Sequence, residues 1–165
     1  MMLSNSLNVK EKFKLGNINE HDIFDDSEFP KITIRAIKSE TLPYVLHRWF
    51  ETYNRGEPFT FFFDLRKCTY NLTDVKQSFV LAKFIQNIKK YRKMNYKYDL
   101  LKQSIVIVNN KLSNSFLNQV FKLQKPLSPT YILTNLEKAD KLYIQIMNKE
   151  ELDLKDIDYI KPGKK

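Results

Sequence analysis

A chain of 165 residues, 42% hydrophobic and 13% aromatic, is long and apolar enough for one domain with a core of its own, which excludes a disordered chain. Its formal net charge of +9 suits an acidic partner such as nucleic acid, an anionic membrane or an acidic protein, but the cations are spread over many segments, as on an ordinary solvated surface. One cysteine, Cys68, excludes an internal disulfide and suits a reducing compartment.

The N-terminal stretch "MMLSNSLNVKEKF" has no apolar core of the signal-peptide kind, and no apolar run is long enough to span a bilayer, so a cytoplasmic location is expected. In "NVKEKFKL" Val9, Phe13 and Leu15 alternate with Lys10, Lys12 and Lys14, the pattern of a half-solvated edge strand. The acidic loop "NEHDIFDDSEF" follows, then "KITIRAI" with Ile32, Ile34 and Ala36 in phase, so the first two strands are expected to pair as a hairpin. Leu42, Val45, Leu46, Trp49, Phe50 and Tyr53 recur at three- and four-residue steps and predict a helix, capped by Ser39 or Thr41 and stopped by Gly56 and Pro58. "FTFFFDL" reads as a central strand, apolar on both faces.

After a polar loop, Thr73 opens a second helix carrying Val75, Phe79, Ala82, Ile85 and Ile88, which runs into the basic stretch "KKYRKMNYK". "SIVIVNN" predicts another buried strand. A short helix capped by Ser113 follows, with Phe116, Leu117, Val120 and Phe121 on one face, then the breaker "KPLSPT" and the strand "TYIL". Thr134 and Glu137 have the spacing of a capping box for a last helix carrying Leu136, Ala139, Leu142, Tyr143 and Ile146. Beyond it, Leu154, Ile157 and Ile160 dock a tail whose end frays. The resulting fold class is α/β, a mixed, mostly parallel sheet of about five strands with four helices, in a single domain over 7–150 with a tail over 151–165.

This element order, with "FTFFFDLRKCTYNLTD" and "SIVIVNNKLSNSFLNQVFKLQKPLSPTYILTNLEKADKLYIQI", resembles the SpoIIAA-like fold, closest to STAS domains. The long second helix and the series "DLR", "IVIVN", "QKPLS" are also similar to CRAL-TRIO lipid-binding domains, without the helical lobe that usually precedes them. The STAS resemblance implies a regulatory turn after the central strand, where bacterial members carry a phosphorylated serine. That position falls here on Thr73 or Asp74, with neither the serine nor the glycine of the motif. An N-cap role for Thr73 is the simpler reading, and Asp74 would hold the site negative without a phosphate.

Chemistry-bearing patterns are sparse. His21 and His47 lie far apart, Cys68 has no cysteine partner, and "DIFDDSE" lacks the glycine and closing glutamate of a calcium loop, so neither a metal nor a cofactor is expected. The scattered glycines form no phosphate loop, no nucleophile elbow is visible, and the chain is not expected to be an enzyme. Asp64, at the carboxyl end of the central strand, stands where open α/β sheets place ligands. Together with Arg66, Thr73, Asp74 and Lys76 it makes the candidate interaction surface. Lys89, Lys90, Arg92, Lys93 and Lys97, interleaved with Tyr91, Tyr96 and Tyr98, form a candidate patch for an anionic partner. The preferred reading is a non-catalytic, STAS-like protein-interaction module. A CRAL-TRIO-like carrier of lipid or another hydrophobic ligand is the first alternative, and a basic accessory protein binding nucleic acid the second.

Overall fold

The computed structural model describes residues 9–37, 40–67, 82–83, 86–87, 90 and 100–163, with 111–114 described by backbone alone. Its centre is a six-stranded mixed sheet whose strands lie side by side in chain order: β1 (Phe24–Asp25), β2 (Lys31–Ile34), β3 (Phe59–Asp64), β4 (Leu101–Ile107), β5 (Thr130–Leu133) and β6 (Asp158–Ile160). The four inner strands run parallel, with Ile34 opposite Phe63, Phe62 opposite Ile105 and Ile105 opposite Tyr131. The two short outer strands are antiparallel to their neighbours. The described α-helices are α1 (Leu42–Tyr53), α2 (Lys111–Leu123) and α3 (Leu136–Met147). Residues 82, 83, 86, 87 and 90, within the expected second helix, are also helical.

The buried strands are where their apolar runs put them, because a strand covered on both faces cannot alternate. All of Phe59 to Phe63 are buried, as are Ile105 to Ile107 and Thr130 to Leu133. Helix α1 buries Leu42, Val45, Trp49 and Tyr53 of the expected stripe together with Tyr44, while Leu46 and Phe50 are only partly covered. It ends at Tyr53, and the chain turns away at Gly56, whose φ of 67° suits a residue without Cβ and whose N–H donates to the Tyr53 carbonyl.

Several expectations are corrected. Residues 9–12 form a helical turn, not an edge strand. Val9 and Phe13 share the four-residue spacing of a helix as well as the two-residue spacing of a strand, and both pack against the core from the turn. The hairpin partner of β2 is instead Phe24–Asp25, inside the stretch read as an acidic loop, and this pairing with the tail strand β6 brings the sheet to six strands. The cap of α3 is Asn135, whose side chain accepts from Lys138 N–H at 3.0 Å, in place of a Thr134–Glu137 box. Finally, Thr41 sits at the N-cap of α1 but turns its hydroxyl to the Ala36 carbonyl, the other expected cap, Ser39, lies outside the described residues, and Ser113 lies inside the 13-residue α2 rather than ahead of it.

Parallel strands laid down in chain order with crossovers of one hand put their crossover helices on one face. Accordingly α1 and α2 both pack on the face that receives Phe59, Phe61 and Phe63, in the larger hydrophobic cluster. Helix α3 comes after the last parallel strand and takes the other face, where Ala139 and Leu142 meet Phe62, Ile105, Ile107 and Leu133. That second face is therefore covered over β4 and β5, while over β1 to β3 it carries Asp25, Lys31, Thr33 and Asp64 and opens as a groove.

Candidate functional site

The groove has a volume of about 1040 Å³ and is bounded by three elements. Its floor is the second face of β2 and β3, one wall is the Asp22–Glu28 segment, and the other is the flank of α3 bearing Leu136 and Asp140. It opens towards the carboxyl ends of β2 and β3, where ligands meet open α/β sheets. Alternation explains the lining: Ile32 and Ile34 point into the main core, so Lys31 and Thr33 must face the groove.

At the carboxyl end of β3 the expected pair is brought together. Arg66 donates from Nε to Asp64 Oδ1 and from Nη2 to Oδ2, both at 2.8 Å, a fork-to-fork geometry. These hydrogen bonds hold the Asp64 carboxyl below its usual range, against the opposing effect of partial burial, with help from the Arg66 N–H and the Arg35 charge. The same bonds raise Arg66. The loop wall repeats the device: Asp25 accepts from Ser27 Oγ at 2.6 Å, from Ser27 N–H at 3.1 Å and from Arg35 Nη1 at 3.2 Å. The Ser27 hydroxyl is the chief reason its carboxyl is also held low. Lys31 extends across the floor, with Nζ 4.5 Å from the Phe62 ring centre, 3.5 Å from Asp140 and 3.7 Å from Glu28.

The Asp25 and Asp64 carboxylates are thus held in their ionised forms by fixed donors. A carboxylate locked in its ionised form is a poor proton donor at neutral pH and a weak base. His21 Nδ1 lies 4.0 Å from Asp25 Oδ1, but the Ser27 hydroxyl donates to that carboxylate and not to an imidazole, so Ser27, Asp25 and His21 do not make a nucleophile–base–acid relay. Among the described residues no group of three or more His, Cys, Asp or Glu is placed to hold a metal ion. No helix among them is long and apolar enough to cross a membrane.

A second pocket lies on the opposite face, between α1, α2 and the sheet, lined by Trp49, Phe63, Leu65, Leu117 and Val120 among others. It is apolar and holds about 70 Å³. Ligand sites for molecules of lipid size run to roughly 300 Å³ and above.

Of the residues expected at the interaction surface, Asp64 and Arg66 stand at the groove, whereas Thr73, Asp74 and Lys76 lie outside the described residues. Of the basic patch, Lys90 is helical and exposed, and Lys89, Arg92, Lys93 and Lys97 lie outside the described residues. Sequence reasoning missed the loop wall. Besides Asp25, Asp26 accepts from Arg48 at 3.0 Å and from Arg55 at 2.8 Å, and Arg55 stacks 4.3 Å from the Phe29 ring centre, which ties the acidic segment to α1. The clue would have been three arginines in Arg35–Arg55 facing an acidic run of matching size, but nothing local pairs them. No family model, no curated protein and no solved structure matches the chain.

Proposed function

We propose that the chain is a non-catalytic protein-interaction module of the STAS-like kind, which docks a partner at the groove that starts from Asp64 and Arg66. The observation that carries this reading is the bidentate Asp64–Arg66 pair at the carboxyl end of the central strand, with both groups held in their charged forms. A fixed pair of opposite charges on a rim gives a partner orientation and register rather than a reactive group. The strand–helix alternation, with β3 in mid-sheet leading into a polar turn, is what supports the STAS-like reading in particular. The lipid-carrier alternative draws no support from an apolar pocket of about 70 Å³.

The test compares proteins retained by the immobilised chain with those retained by Arg66→Glu and Asp64→Lys, identified by mass spectrometry. The expected result is a protein held by the wild type and released by both variants, whose circular dichroism and melting temperature stay as in the wild type. The same retained set for all three chains would overturn the reading.

A further inference from the structure

The groove lies beside a ridge, and the two together specify a partner. Successive residues of a helix turn by about 100°, so three contacts orient α3 completely. Ala139 and Leu142 face the sheet. Lys138 reaches Asp156 at 3.2 Å, which turns that flank towards the tail, and Asp140 reaches Lys31 at 3.5 Å, which turns the opposite flank towards the groove. Leu136, Ile144 and Met147 fall on the Asp140 side of the helix, within an arc of about 80°. Their relative exposures are 38%, 55% and 47%, which places them among the exposed large apolar side chains of the described residues. The adjoining slot is floored by β2 and β3 and is about 1040 Å³ in volume.

We propose that this face pairs with a second copy of the chain about a two-fold axis, each copy seating its α3 ridge in the other's groove. The proposal rests on the interaction-module reading and names the partner of that groove. Two observations select a second copy over a foreign helix. First, ridge and slot adjoin on one face, so an axis at their boundary satisfies both at once, as an isologous interface requires. A foreign helix would fill the slot and leave the apolar ridge in water. Second, copies carrying +9 each repel one another over most of their surface. The groove lining sets five carboxylates, Asp22 and Glu28 among them, against four cations such as Lys67, so it is a patch where two copies meet without net repulsion. The same carboxylates disfavour nucleic acid or an anionic membrane at this site.

Sedimentation equilibrium of the full chain, up to its highest soluble concentration, tests the proposal. The wild type is expected to reach twice its 19.7 kDa mass, and the double variant Ile144→Asp, Met147→Asp to stay at one, with unchanged circular dichroism because both side chains are already exposed. A wild type that stays at one mass overturns the proposal, as does a dimer that survives the double variant. A single-mass chain that still retains a foreign protein through Arg66 removes the second copy alone and leaves the interaction reading in place. A dimer broken by the double variant, beside retained sets that Arg66→Glu does not alter, supports the pairing while removing the foreign-partner test of the earlier reading.

Discussion

On one face of the sheet β3 presents Phe59, Phe61 and Phe63 to two helices, and on the other it presents Thr60, Phe62 and Asp64 to one helix and a groove. The first face is a packed aromatic layer: Phe61 meets Trp49 edge-on with ring centres 4.4 Å apart and touches Phe24, Phe59 and Phe63 in the same manner. On the second face Lys31 lays its ammonium over Phe62, and Gln103 donates to Thr60. The same strand thus builds a core and a site. The difference comes from connectivity, because crossovers of one hand deliver their helices to one side and leave the other to whatever follows the last parallel strand.

Cavities separate the two faces most directly. Phe61→Ala should cost about 4 kcal/mol in urea unfolding, since neighbours on every side hold the void open. A cost below about 1 kcal/mol would mean the aromatic layer is not the core. Phe62→Ala should cost less, about 2–3 kcal/mol, because its site borders the groove and can relax or admit water. Equal costs at both positions would erase the distinction between the faces.

The groove's loop wall comes next in size. Asp26→Ala should destabilise by about 1 kcal/mol, because it strips Arg48 and Arg55 of their shared acceptor while leaving both in reach of water. Increased hydrogen exchange confined to residues 22–30 would show that the wall, rather than the sheet, depends on this cluster.

The smallest effect sharpens the picture of the rim. Asp64 titrates below its usual 3.8 because Arg66 bonds it, so its contribution to stability is complete above that value and is lost as pH falls through the lower folded-state value. With Arg66 41% exposed, the pair should be worth less than about 1 kcal/mol. Asp64→Asn should accordingly flatten the acid limb of the stability curve slightly and leave neutral-pH stability within about 1 kcal/mol of the wild type. An acid limb unchanged by the substitution would show that the pair is no tighter in the fold than in the unfolded chain.

Much of this architecture was legible in the residues themselves. The runs at Phe59–Phe63, Ile105–Ile107 and Thr130–Leu133 announce strands buried on both sides, and the stripe from Leu42 to Tyr53 announces a helix, because burial imposes its period on the residues it covers. Asp64 was legible as a rim residue for the same reason, as the first polar group after an apolar strand. Residues 9–15 misled because helix and strand periods agree over so short a span. The strands β1 and β6 have two and three residues, too few to show any period, and they exist because a neighbour's edge offers them hydrogen bonds.

By itself, then, the sequence determined which segments are buried and in which order they alternate, since both follow from local patterns of side chains along the chain. Only the tertiary structure decided that Asp25 and Asp26 hold arginines 10 to 29 positions away, and that α3 leaves half a sheet face uncovered. It also decided that the ridge of Leu136, Ile144 and Met147 stands beside that opening. Those arrangements depend on how distant elements are stacked. A pairing across the fold leaves no period in either partner, so it becomes visible only once the sheet has brought both ends together.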